Sequence, residues 1–185
     1  LEVCLAVFDA RPELASTEDE ARRVARHFAR YGEPAKGAFF VRAQNPDPTL
    51  RRRAGEVLAH WRRFEDADVG PLAAALRRDP GGWAALPLAR LGTPEALDAL
   101  LQDLRNGAAS RTGYALASLG PRVLPLLEPV LADDRVWREA ATVIRSVEGD
   151  VSGQARAWRA VLADPRASAA DKRAARRGLD ALGPR

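Results

Sequence analysis

An all-α fold is what this sequence predicts, and three observations predict it. Nearly every segment of the 185 residues repeats its apolar positions with the period of a helix. No two stretches carry the alternation and turn chemistry of paired strands. A Leu-Gly stop also returns along the chain, at residues 91–92 and 119–120, an interval of 28. Self-similarity on that scale marks a chain of stacked antiparallel helix pairs.

The elements follow in order. Residues 1–14 are the least regular, with Leu1, Leu5 and Phe8 on one helix face and Pro12 ending the pattern. Over 18–31, Ala21, Val24, Ala25, Phe28 and Tyr31 share a face. Thr17 is the expected N-cap, with Glu20 as its capping-box partner. Gly32 stops this helix, since glycine takes the left-handed conformation at little cost. Residues 38–41 have strand-like composition, but a lone strand leaves its backbone unpaired, so a short helix from Pro34 to Gln44 is expected. Asp47-Pro48 reads as a cap with proline in the first turn, opening a helix with the stripe Leu50, Ala54, Val57, Leu58 and Trp61. Val69, Leu72, Ala73 and Leu76 mark a short helix over 70–78.

Thr93-Pro94-Glu95 opens the next helix, with Leu97, Leu100, Leu101 and Leu104 inward and Asn106-Gly107 as its stop. Residues 110–119 form a helix ended by Gly120-Pro121. Asp134 is the expected cap of a helix carrying Val136, Ala140, Val143, Ile144 and Val147. Ala155, Trp158, Val161 and Leu162 mark one that stops before Pro165. Ser168 opens the last, with Asp171 at its third position and Leu179 and Leu182 inward.

The repeat can be followed further. Val147, in Arg-Ser-Val-Glu-Gly, lies 28 residues after Leu119, and Leu182-Gly183 closes the chain in the same way. Arg138-Glu139-Ala140-Ala141-Thr142-Val143-Ile144 resembles the first helix of the short bacterial HEAT-like repeats. Leu116-Ala117-Ser118-Leu119-Gly120-Pro121 resembles the junction between the two helices of such a unit. The resemblance covers residues 49–185, with 1–48 as an N-terminal helical cap. It implies a right-handed α-α superhelix, one continuous solenoid domain in which each pair contacts only its neighbours. Pro87, Pro125 and Pro129 then have structural roles, because a proline near the start of the second helix bends it.

Composition narrows the function. One Cys cannot form an intrachain disulfide, and no apolar run is long enough to span a bilayer. The 37 alanines suit close helix packing. Residue 1 is Leu and the chain has no Met, so the native start is expected upstream. A cytoplasmic location is the expectation, with export left open by that missing segment. Of 29 basic residues, only Lys36 and Lys172 are lysine. Residues 151–185 hold 8 basic and 3 acidic groups, a surplus of five, while the rest of the chain is balanced.

Catalytic or metal-binding patterns are scarce. Cys4, His27 and His60 lie far apart in sequence, with no spacing that suits a metal, so no metal or cofactor is expected. Cys4 reads as a buried apolar residue, and His60 as bordering the core beside Trp61. The paired acids at Asp133-Asp134 and 18–20 lie at helix starts, where carboxylates serve free N–H groups. A non-catalytic protein is therefore the expectation.

Arginine clusters remain to be placed: 51–53, 62–63 and 77–78, then Arg22, Arg26 and Arg30 along one face, then Lys172, Arg173, Arg176 and Arg177. Trp137 falls off the stripe of Val136, Ala140 and Val143, which makes it an expected exposed anchor. The main expectation is a scaffold or adaptor that binds a partner protein through Arg105, Arg111, Tyr114, Trp137 and Arg138. The alternative is a nucleic-acid binder that aligns its arginines along a phosphate backbone. DNA glycosylases for alkylated purines resemble this architecture, though their aromatic and acidic motif has no counterpart in these residues. Phycobilin lyases also carry similar HEAT-like units, which implies a third, chromophore-handling reading on fold analogy alone.

Overall fold

The computed structural model describes residues 1–79, 82–107 and 111–183. Among the described residues the chain is helical, with no strand. It divides into two compact units, Leu1–Thr93 and Pro94–Arg185. Residue 49, the expected start of the repeated region, falls inside the first.

The first unit holds α1 (Glu2–Ala10), α2 (Glu18–Phe28), α3 (Glu33–Arg42), α4 (Pro48–Ala59), α5 (Val69–Arg78) and α6 (Ala85–Leu91). The start signals read from sequence operate here. Thr17 and Glu20 form a reciprocal capping box at α2, and Asp47 accepts the Thr49 N–H at 2.8 Å to open α4. Residues 38–41 are helical, as expected. α2 and α3 both pack on α4, which in turn meets α6, and α5 lies on α6. The core is aromatic: Phe39 takes Phe8 and Phe28 edge-on, at 5.1 and 4.9 Å between centroids. Trp83 lies directly against Gly55 of α4, where a Cβ would come within 2.2 Å of its ring.

Two buried cations fasten this unit. Lys36 donates to Asp68 at 2.7 Å and pairs with Glu33 at 2.9 Å. Burial pushes its ammonium down, but bonds and charges from Asp68 and Glu33 outweigh that and leave it above the usual lysine range. Arg53 turns inward to the backbone that ends α1, unlike the solvent-facing stripe that residues 51–53 suggest.

The second unit holds α7 (Pro94–Arg105), α8 (Arg111–Ala117), α9 (Leu124–Ala132), α10 (Trp137–Ser146), α11 (Ser152–Ala163) and α12 (Ala169–Leu182). Residue 110, the expected first residue of α8, lies outside the described residues. α8 packs on α10 and α10 on α12, while α7 meets α9 and α9 meets both α10 and α12. Even-numbered helices thus stack in chain order within each unit. Gly92 and Gly120, 28 residues apart, both have positive φ, +64° and +68°, so the repeated stop falls on a repeated φ that favours glycine. The core is mainly aliphatic: Leu100, Leu104, Leu116, Leu124, Leu127 and Ile144 are fully buried. Trp158 adds the one large ring, seated on Gly178 of α12. Buried Thr112 donates to buried Asp103. Pro125 sits in the first turn of α9 and Pro129 inside it. No single helix among the described residues is long and apolar enough to cross a membrane.

Candidate functional site

In the second unit, a tryptophan and a row of cations meet where α9, α10 and α12 join. The turn after α9 is shaped by Asp133. Its carboxylate accepts the Arg135 N–H at 2.9 Å, and its carbonyl accepts the Trp137 N–H at 3.1 Å. That geometry makes Trp137 the first residue of α10. Ala140, Val143 and Ile144 go inward, and the indole stays on the shoulder of the helix, half-buried. Asp134 does not cap α10, contrary to expectation. Val136 precedes the helix with no side-chain cap, and the Asp134 carboxylate faces α12.

α12 begins at a capping box, in which Ser168 and Asp171 bond reciprocally. Ala174, Ala175, Gly178 and Ala181 then face the core. Lys172, Arg173, Arg176 and Arg177 occupy the remaining faces. Arg177 is the link to α10. It donates to the Leu131 carbonyl at 2.8 Å, one of the carbonyls that α9 leaves without an intrahelical partner. Its other terminal nitrogen reaches Asp134 at 2.6 Å. Its guanidinium also lies 4.8 Å from the Trp137 ring centre, and that of Arg138 lies 5.0 Å away. A cation over an aromatic face contributes about 0.5–1 kcal/mol at exposed sites and more when desolvated. The hydrogen bond and charge of Arg177, with Arg173 adding charge, hold the Asp134 carboxyl below its ordinary range.

Lys172, Arg173, Arg176 and Arg177 line one open concavity of about 420 Å³, with Ala169 and Asp180. Arg173 and Arg176 are exposed and have no ion-pair partner among the described residues. A planar guanidinium left in this state takes a carboxylate or a phosphate through two parallel hydrogen bonds. The site therefore offers two guanidinium groups outside any close ion pair, a lysine and an indole within one surface.

Other residues singled out from sequence are more scattered. Tyr114 is 66% exposed on α8, Arg111 is exposed at the start of that helix, and Arg105 is exposed at the end of α7. Neither Tyr114 nor Arg105 has a ring contact or hydrogen bond to the Trp137 cluster. Arg22 and Arg26 belong to the first unit, on α2, and Arg30 to the turn that follows it. There Arg22 is neutralised by Glu18 at 2.8 Å and Asp19 at 3.7 Å, and Arg26 bonds back to the Arg22 carbonyl. Cys4 is half-buried rather than enclosed, with its sulfur 3.7 Å from the Tyr31 hydroxyl. His60 does border the core, and burial pushes its imidazole below the usual range. No group of three His, Cys, Asp or Glu is placed to hold a metal among the described residues.

One cleft was not legible in the sequence. Pro125, Glu128, Pro129, Trp158 and Asp164 line a depression of about 710 Å³ between α9, α11 and α12. Glu128 accepts from both the Trp158 indole N–H at 2.9 Å and Gln154 at 2.7 Å. Its lone charge within the apolar run 124–131 was the available signal. These bonds explain it as a latch for α11. Compared with known protein families, with curated proteins and with solved structures, the chain matches none.

Proposed function

We propose that the chain is a HEAT-like repeat scaffold, its helix pairs wound as the right-handed superhelix the resemblance implies. Its second unit holds an acidic segment of a partner protein on the Trp137–α12 surface. One observation carries the reading. Arg177 is fully committed to Asp134, Leu131 and Trp137, while Arg173 and Arg176 beside it form no close ion pair among the described residues. The first arginine builds the surface and the other two are left to bind.

A protein segment suits this surface better than a nucleic-acid backbone. A phosphate track needs on the order of 6–10 cationic contacts in line. Here the cations come from one helix, and the other arginine row, on α2, carries its own acids at Glu18 and Asp19. Arg105, Arg111 and Tyr114 lie on α7 and α8, where a longer partner would continue.

Fluorescence anisotropy with a labelled Glu-rich peptide tests the proposal. Arg173→Glu with Arg176→Glu is expected to weaken binding roughly tenfold or more, as like charges do at an interface. Trp137→Ala is expected to weaken it to a lesser degree, with circular dichroism unchanged. If a single-stranded oligonucleotide binds more tightly than the peptide, and loses affinity steeply with salt, the nucleic-acid reading replaces this one.

A further inference from the structure

α1 is apolar on both of its sides. Leu5 and Phe8 are buried against the first unit's core, yet Val3 is 77% and Val7 46% exposed. At 3.6 residues per turn, Cys4, Val7, Val3, Ala10 and Ala6 form one unbroken outward arc about 160° wide. A helix that is apolar around most of its circumference is normally covered. Next to this arc, α1 and α2 enclose an apolar groove of about 370 Å³, walled by Val3, Val7, Phe8, Leu14, Val24 and Phe28.

The two borders of this face carry opposite charge. Past Ala6, the arc is bounded by Glu2 and Asp9; past the groove lie Arg23 of α2 and Arg30 of the turn that follows it. Asp9 is held by Arg42 through two 2.7 Å bonds. Glu2, Arg23 and Arg30 have no ion-pair partner among the described residues.

We propose that this face docks a second copy of the chain, related by a two-fold axis, with α1 lying against α1. The charge pattern selects a copy over an unrelated partner. A two-fold axis running parallel to α1 along the arc lays the acidic border of each copy on the basic border of the other, which is the self-complementarity an isologous contact requires. Val3 and Val7 of each copy enter the other's groove. Ala6 and Ala10 project no more than a methyl group and let the two helices approach closely. α1 is only about 13 Å long, so the contact is a small one, and association in the micromolar range is expected.

Sedimentation equilibrium of the full chain, from micromolar to several hundred micromolar, tests this. The average mass is expected to rise with concentration from the 20.0 kDa monomer towards twice that value. Val3→Asp with Val7→Asp is expected to hold the chain monomeric with its helical circular dichroism intact. Glu2→Arg and Arg23→Glu are each expected to weaken self-association about fivefold, through like charges facing across the contact. Mixing those two variants is expected to restore association as a heterodimer, because each then meets the opposite charge on both sides. A wild-type chain that stays monomeric throughout overturns the proposal. So do charge variants that associate like wild type, or a mixture that associates no better than either variant alone.

Discussion

Arg53 stands in a run of three arginines that reads as solvent-facing, yet it is 2% exposed. Its guanidinium donates to the carbonyls of Phe8, Arg11 and Leu14 and lies 4.5 Å from the Phe8 ring centre. Those carbonyls belong to the end of α1 and the turn after it, where backbone donors run short: of the three, the Arg11 carbonyl also takes the Leu14 N–H. Burial lowers the affinity of this group for its proton, but three aligned acceptors make the site workable for arginine and no other side chain. Arg53→Met removes all three bonds together. The Arg11 carbonyl keeps the Leu14 N–H, while the Phe8 and Leu14 carbonyls lose their donor. A buried carbonyl left bare costs about 1–3 kcal/mol, so a loss of roughly 2–3 kcal/mol is expected in urea unfolding followed by circular dichroism. Arg53→Lys is expected to recover less than half, since one ammonium cannot bridge acceptors spread over two turns. An unchanged midpoint for Arg53→Met contradicts this account. Position 53 could not be told from position 52 in the sequence. The period of α4 says which residues face inward, but not that a helix end 40 residues earlier waits there for a donor.

Helix boundaries were legible because their causes are local. The capping boxes at Thr17 and Ser168, the cap at Asp47 and the positive-φ glycines at 92 and 120 act within a few residues. Asp134 departs from its expected role for the complementary reason. A carboxylate before a helix resembles a cap, and the arginine that claims it lies 43 residues on. Glycines inside helices divide along the same line. Gly37 in α3 has open space where a Cβ would go. Gly37→Ala should then stabilise the protein by up to about 1 kcal/mol, the difference in helix propensity. At Gly55 and Gly178 a Cβ would stand 2.2 Å and 2.7 Å from the rings of Trp83 and Trp158. Both rings are buried, so neither can swing aside freely. Alanine there is expected to destabilise by about 1–3 kcal/mol despite its better propensity. Thermal melts of the three variants measure the contrast, and a stabilised Gly55→Ala or Gly178→Ala would falsify the packing of that tryptophan.

At the scale of the whole molecule, the two units differ in what fills them. All five phenylalanines fall in residues 1–93, where Phe8, Phe28 and Phe39 meet ring to ring. The second unit is filled mainly by leucine, and its exposed or half-buried rings, Tyr114 and Trp137, are turned to the surface. The sequence showed the Arg and Trp residues of the candidate site but not their assembly, because Trp137 and Arg177 are joined by the packing of α10 on α12 and by no motif. Each unit closes its own set of helix contacts, and helices in proteins draw most of their stability from such packing. Separate chains of residues 1–93 and 94–185 are therefore each expected to fold with helical circular dichroism and a cooperative melt. They should be distinguishable in the near ultraviolet, since each has two Trp and one Tyr but only the first unit has Phe. The 94–185 chain should also bind the Glu-rich peptide as the full chain does, since every residue of the Trp137–α12 surface lies within it. A fragment that folds but fails to bind would mean that the first unit contributes to that surface. Two fragments that fail to fold would mean that neither core suffices alone.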